Sequence, residues 1–324
     1  LLDAIEESTY TRYGEHPWHR MPYGTPVQVG KLEVVPLPVD HSIPGASGFL
    51  IRTSEGTIVY TGDFRQHGPR AAETHRFFEA ALAERPAVLI TEGTRAGPDP
   101  RKQFSEEGVR TGVDQLLSGS KHLALVTSYP RDLDRFATMY QAARAVGRSL
   151  VVSTRTAYLL ASAHRAFPSI PMPVPGESDD VQVYRRPKSR YSKWERPFLD
   201  DAVDATWVKH HGAQLLLSLE MSHFAELIDL RPEPGSPFIH SMSEPFSEDD
   251  VDDQILHRWL EHFGLSFHQY HASGHASGPE LESIVRTLRP STVFPVHTEH
   301  PEAFQGWAPR TVSPELNVPY RVGG

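Results

Sequence analysis

Short apolar runs alternate with polar turns along this chain, and the period of the apolar positions switches between two and about 3.6. Leu32 to Val39 reads as a strand, Gly48 to Thr53 as a second and Thr57 to Tyr60 as a third, with Glu55-Gly56 turning between the last two. Glu73 to Ala83 reads as a helix, and Ala87 to Thr91 as a buried strand ending at Glu92. His122 to Val126 is the next strand. Leu133, Phe136, Tyr140 and Ala143 then form an apolar stripe at helical spacing, stopped by Gly147. Ser149 to Ser153 predicts a strand, Thr156 to Ala166 a helix, and Leu215 to Leu219 and Phe238 to Ser241 two further strands. Near the end, Leu265 to Tyr270 is a strand. Glu280, Leu281, Ile284, Val285 and Leu288 have helical spacing, stopped by Arg289-Pro290, and Val293 to Val296 is the last strand. Residues 1–30 read as the end of a helix and a long loop, and residues 168–212, rich in Pro, Arg, Lys and Asp, as a partly exposed excursion. There is no internal repeat.

A strand-rich opening followed by alternating strands and helices predicts an α/β protein whose middle part is a mostly parallel sheet with helices on both faces. With 324 residues, two domains are expected. Apolar content of 39% is ordinary for a globular chain, the longest apolar runs are strand-length, and no signal peptide or membrane span is legible. The chain has no cysteine, which excludes disulfides, thiolate ligands and a Cys nucleophile and is compatible with a cytoplasmic setting. With 18 His and 41 Asp and Glu, any metal site must be built of imidazole and carboxylate, which suits Zn, Mn or Fe. A net charge of −9 argues against a broadly basic nucleic-acid surface but leaves a locally basic groove open.

Four motifs place one His or Asp directly after an apolar β-rich run: Val39-Asp40-His41-Ser42-Ile43-Pro44-Gly45, Tyr60-Thr61-Gly62-Asp63-Phe64-Arg65, Ser273-Gly274-His275-Ala276 and Phe294-Pro295-Val296-His297. Such placement suits metal and acid–base chemistry at the rim of a sheet. Each motif alone also has a plain structural explanation: a turn Asp at Asp63, a hydrogen-bonded loop His at His41, a capping turn of small residues around His275, a strand-end charge at Glu92. Small residues and glycine at Ser273, Gly274 and Ala276 let backbone approach a ligand, and N–H groups before a helix could bind phosphate. A carboxylate at Glu92 near His275 would raise its pKa and fix its tautomer, as a general acid needs. His300 reads as a surface or supporting residue. The pairs His16/His19 and His210/His211 are weaker candidates, the first in an irregular loop, the second with rings pointing apart.

Taken in order, these motifs resemble the β-CASP branch of the metallo-β-lactamase fold, nearest to ribonuclease J-type enzymes, over nearly the whole chain from about Lys31. The resemblance implies a metallo-β-lactamase αββα sandwich, partial because its N-terminal part is missing, with an inserted parallel-sheet β-CASP domain. The domains expected are 1–100 and 246–324 for the metallo-β-lactamase part and 101–245 for the insert. It also implies that His41, Asp63 and His297 are metal ligands and that Asp63, Glu92 and His275 carry catalysis. Ser128, Arg131, Arg155, Ser241, Ser243, Ser273, Gly274 and Ala276 are then the implied substrate contacts. The cofactor implied is a divalent metal, two Zn ions or Mn, and the partner is RNA, single-stranded, with no membrane; a homo-oligomer is compatible. The function implied is hydrolysis of RNA phosphodiester bonds, 5′–3′ exonucleolytic, endonucleolytic or both. The alternatives are an inactive RNA-binding or scaffold subunit and a DNA nuclease of the same superfamily. One departure is plain: no His-x-His-x-Asp-His cluster occurs in these residues, leaving few ligands for two metals and the expectation of a preceding portion outside this sequence.

Overall fold

The computed structural model describes residues 2–9, 12–98, 104–167, 172–178, 180–245 and 249–321. They form two compact units, one from residues 1–15 and 104–272, the other from residues 16–103 and 273–324.

In chain order, helix α1 (Leu2–Thr9) belongs to the first unit, and the chain then builds most of the second. Strands β1 (Val27–Val29), β2 (Leu32–Pro38), β3 (Ser47–Thr53) and β4 (Gly56–Tyr60) form an antiparallel meander. Helix α2 (Ala71–Ala83) leads to β5 (Val88–Glu92), which pairs parallel to β4. The first unit resumes with α3 (Glu106–Gly119), β6 (Ala124–Ser128), α4 (Leu133–Ala145), β7 (Ser149–Ser153), α5 (Thr154–Ala166), β8 (Val181–Tyr184), α6 (Ala205–His211), β9 (Leu215–Ser218), α7 (Leu227–Leu230), β10 (Pro237–Ser241), α8 (Val251–Phe263) and β11 (Ser266–Gln269). Helix α9 (Gly278–Leu288) and strands β12 (Thr292–Val296) and β13 (Arg310–Thr311) return to the second unit.

The second unit's seven-stranded sheet runs β1-β2-β3-β4-β5-β12-β13. Alternation decides which face is inside. Val35, Leu50, Val59, Leu89 and Val293 pair across neighbouring strands as one buried row. Phe77 and Ala81 of α2 and Leu281, Ile284, Val285 and Leu288 of α9 pack on that row. A Cβ at Gly48 would lie 2.5 Å from the Phe77 ring, so only glycine lets β3 pass under α2. The opposite face carries a second apolar row, Phe49, Tyr60, Ile90 and Phe294, which is only half-covered. A sheet with two apolar faces is what an inner layer of an αββα sandwich presents; among the described residues this unit holds one sheet.

The first unit's six strands, ordered β11-β10-β6-β9-β7-β8, are all parallel. Its strands are apolar on both faces, as a sheet covered on both sides requires. Ala124, Val126 and Leu216 face α3, α4 and α5, while Leu125, Leu215 and Leu217 face α6, α7 and α8. Inside it, Arg135 and Glu106 form a buried ion pair (2.9 Å), and Arg135 also donates to Ser241 O and Ala272 O, tying α3 and α4 to the strand ends.

Three expectations need correcting. The expected boundary at 245/246 falls instead at 272/273, because β11 pairs parallel with β10 and α8 packs in the same core; the expected boundary at 100/101 lies outside the described residues. The 168–212 excursion holds β8 and α6, although residues 168–171 and 179 lie outside the described residues. Residues 1–15, expected with the strand-rich part, group with the parallel unit, where Ala4 and Ile5 of α1 pack on Leu159 of α5.

Candidate active site

Two antiparallel steps bring β4 back to the direction of β2, and β5 and β12 run parallel to β4. The ends of β2, β4, β5 and β12 therefore share one edge of the sheet, where open α/β sheets bind ligands. Each end delivers one chemical group: His41 after β2, Asp63 after β4, Glu92 closing β5, His297 after β12. His275 joins them from the turn before α9.

The turns are built for this placement. Gly62 has φ +58°, and a Cβ there would lie 2.7 Å from Ser47 O, so glycine is required for Asp63 to follow β4 so closely. A Cβ at Gly274 would meet the His41 ring at 2.9 Å. His297 itself adopts φ +50°, a left-handed conformation that costs on the order of 1 kcal/mol for a non-glycine residue. Asp40 and Arg65, both fully buried, brace the loops from below: Arg65 Nε donates to Asp40 Oδ1 (3.0 Å), Arg70 N to Asp40 Oδ2 (2.9 Å) and Arg70 Nη2 to His41 O (2.7 Å).

His41 Nδ1 donates to Gly274 O (2.6 Å), which fixes the tautomer with its lone pair on Nε2, 3.9 Å from Asp63 Oδ2. The other Asp63 oxygen accepts from His297 Nδ1 at 3.0 Å. His41, Asp63 and His275 each offer a ligand atom within 4.8 Å of the others, a set of two imidazoles and a carboxylate that fits one divalent cation with open positions. His297, expected among the ligands, stands beside this group on the far oxygen of Asp63. Burial lowers the His41 pKa, and the His275 charge adds to this; the Gly274 carbonyl and the carboxylates only partly offset it, favouring the neutral ring that binds metals.

Glu92 is 1% exposed. Its carboxylate accepts from Ala276 N (3.2 Å) and Thr94 N (3.1 Å), and Oε2 lies 3.2 Å from His275 Nδ1. Burial would lower the His275 pKa, but the Glu92 hydrogen bond and charge, with Asp63 behind them, outweigh it and raise the value. The Thr94 hydroxyl sits 3.2 Å from His275 Nδ1 and donates to His297 O (3.3 Å), linking two histidines that sequence reasoning treated separately. Thr94, Asp40, Arg65 and His67, whose Nε2 donates to Ser273 O (2.9 Å), all escaped the sequence reading; only the juxtaposition of Asp40 and Arg65 with His41 and Asp63 hinted at a role.

The phosphate cradle expected around Ser273, Gly274 and Ala276 is not free. His275 N donates to Ser273 Oγ, Ala276 N to Glu92, and Ser277 N to Glu280 in a capping box, so these N–H groups serve the protein itself.

In the other unit, Ser128 ends β6 half-buried and Arg131 is exposed in the turn that follows. Arg155 pairs with Glu220 at 2.7 Å, and Ser243 is half-buried. Ser241 is a correction: it is 1% exposed, donates to Tyr270 O and accepts from Arg135, which removes it from the surface. His210 and His211 each bond the carbonyl one helical turn back, and His211 stacks on Trp207. His300 pairs with Glu302, and His16 and His19 are exposed. No helix among the described residues is long and apolar enough to cross a membrane.

Residues 264–306 match the family model described as the Zn-dependent metallo-hydrolase RNA specificity domain. The chain is 26% identical over 286 residues to ribonuclease J of Thermus thermophilus, covering 84% of this chain and 46% of that protein. It is also 26% identical over 268 residues to ribonuclease J2 of Bacillus subtilis, covering 80% and 45%. The chain thus spans about half the length of the curated relatives it matches. A crystal structure of a protein of unknown function from Enterococcus faecalis V583 superposes with a TM-score of 0.75 at 24% identity, covering 97% of this chain and 72% of that one. The chain is ribonuclease J-like, and its fold is of the α/β metallo-β-lactamase and β-CASP type.

Proposed function

Proceeding from this ribonuclease J-like sequence and fold, we propose that the chain carries the hydrolytic edge of a metal-dependent ribonuclease acting on single-stranded RNA. The observation that supports it is the convergence of His41, Asp63, Glu92, His275 and His297 on one sheet edge.

His41 and Asp63 would hold a divalent ion, Zn or Mn; His297, now bonded to the far oxygen of Asp63, would be the third donor, leaving His275 of the His/Asp/His group to act as the acid. When bound, the ion supplies Lewis acidity toward a phosphoryl oxygen. The chain's own residues do the rest. Gly274 O holds the His41 ring in the ligating tautomer. Buried Glu92 keeps the proton on His275, which donates it to the leaving 3′ oxygen. Thr94 holds His275 and His297 in register. A second ion would need donors beyond the His/Asp/His group found among the described residues.

A second reading follows from the few ligands present: an RNA-binding subunit of the same fold without catalysis. One experiment separates them. A 5′-phosphorylated RNA of about 20 nucleotides is incubated with the chain plus Mn²⁺ or Zn²⁺, with and without chelator, and its DNA counterpart alongside. Metal-dependent cleavage of RNA that is lost in Asp63→Asn supports the enzyme. RNA binding without cleavage under any metal leaves the scaffold, and preferential DNA cleavage replaces the substrate.

A further inference from the structure

The parallel-sheet unit contains a cleft that the hydrolytic chemistry does not use. It opens at the C-terminal ends of β7, β8 and β9 as a cavity of about 120 Å³ with a wide mouth to solvent. The start of α5 borders it at Ser153, Thr154 and Arg155.

Of its three cations, Arg155 and Lys188 are each paired with one acid, Glu220 and Glu195, and Arg186, which also lines the cleft, is paired with none among the described residues. Arg155 gives only Nη1 to Glu220; its Nε is buried with no hydrogen-bond partner among the described residues, a donor whose desolvation is uncompensated. Lys188 is fixed by Glu195, whose buried carboxylate also accepts from Thr154 Oγ1 (2.9 Å) and Ser192 N (2.8 Å). Glu226 accepts from the Tyr184 hydroxyl at 2.7 Å. Each carboxylate thus has a partner within the protein, while the Arg155 and Arg186 guanidinium groups keep donors to spare.

Two further groups complete the cleft. His223 is pushed down to about 4 by burial and by the charges of Arg186, Arg155 and Lys188, so it is a neutral donor and acceptor in a cationic field. Trp194 lines the wall with one face stacked on Tyr158 (5.4 Å between rings), which fixes the indole as a platform.

We propose that this cleft binds a nucleoside monophosphate, its phosphoryl group on Arg155, Arg186 and His223 and its base against Trp194. Guanidinium groups match a phosphate's oxygens in pairs, and an indole face accepts any base. The site lies wholly in one unit and stands whether or not the other unit hydrolyses RNA.

The test is tryptophan fluorescence of the full chain titrated with AMP, adenosine or inorganic phosphate, with chelator present and in the Asp63→Asn background, so that the sheet-edge cluster contributes nothing. Trp194 is one of five tryptophans, so Trp194→Phe assigns the signal. Saturable AMP binding is expected, weaker by about tenfold or more in Arg186→Ala and in Arg155→Ala, with adenosine and phosphate each binding far more weakly than AMP. Circular dichroism confirms that each variant is folded. Arg186 is half-exposed and without an ion pair among the described residues, so its truncation leaves the core intact. AMP binding that is absent, unchanged in both arginine variants, or matched by phosphate alone overturns the proposal. RNA cleavage is scored in a separate assay, so failure of either proposal is visible by itself.

Discussion

Asp63 accepts from His297 Nδ1 through Oδ1 at 3.0 Å while its Oδ2 faces His41 Nε2 at 3.9 Å, so one carboxylate joins two histidines brought from opposite ends of the chain. Asn in its place would keep the shape and one acceptor but lose the charge that draws a cation. Asp63→Asn is expected to bind no stoichiometric Zn or Mn by elemental analysis and to lose RNA cleavage, with stability kept within about 0.5 kcal/mol, the range of surface changes away from the core. Retained metal in this variant would move the ion elsewhere.

Glu92 and His275 give a different signature. If His275 is the acid, His275→Asn and Glu92→Gln should each lower kcat by about 10²–10⁴-fold while metal content stays at the wild-type level. The His/Asp/His group that includes His275 sets up the contrary outcome. Loss of metal together with activity in His275→Asn makes His275 a ligand, with Glu92 orienting its ring as carboxylates orient metal-bound histidines.

The strands of the sheet that carries the site were legible as short apolar runs between turn residues: Leu50 in β3 and Val59 in β4 alternate with less buried neighbours, while β5 is buried at four of its five positions. Helix α9 was equally plain, with Leu281, Ile284, Val285 and Leu288 at helical spacing. Helix α3 was not, because Gly108, Gly112 and Gly119 dilute the stripe of Val109, Val113 and Leu117. In α8 only Leu256 and Leu260 are buried, too few to signal a period. Membership of β11 in the parallel sheet depends on pairing with β10, a contact no local pattern encodes. At the site, His and Asp at strand ends were visible. Thr94 was not, since a lone threonine after a strand has no distinguishing signal, and the free phosphate cradle was expected because backbone N–H groups reveal their partners only in three dimensions.

Arg135 is fully buried, bonded to both oxygens of Glu106 and to the carbonyls of Ser241 and Ala272. Removing one member of such a pair leaves an uncompensated charge, which typically costs about 3–5 kcal/mol. Arg135→Met should destabilise the parallel-sheet unit by that amount in denaturant melts. The double variant with Glu106→Gln should recover a large part of it, because no buried charge is then stranded. If the two single effects simply add, the pair is not coupled and the carbonyl contacts of Arg135 carry its contribution.

Glu280 closes the capping box of α9 and faces His67, whose other nitrogen holds Ser273 of the turn that carries His275. Burial alone would raise its pKa, but the His67 contact and the Ser277 backbone and hydroxyl bonds hold it down at about 2, against 4.5 ordinarily. A depressed carboxyl contributes stability that is complete above the unfolded value and disappears as pH falls through the folded one. The wild-type protein should therefore lose this contribution between about pH 4.5 and 2, the window set by those two values. Glu280→Gln should be less stable at pH 7 by about 1–2 kcal/mol, typical of a lost cap, and its stability should change less across the acid window. Chemical denaturation of both proteins at pH 7 and pH 3 measures this directly. Parallel pH dependence in the two would mean that Glu280 titrates normally and that the turn carrying His275 is held by other contacts.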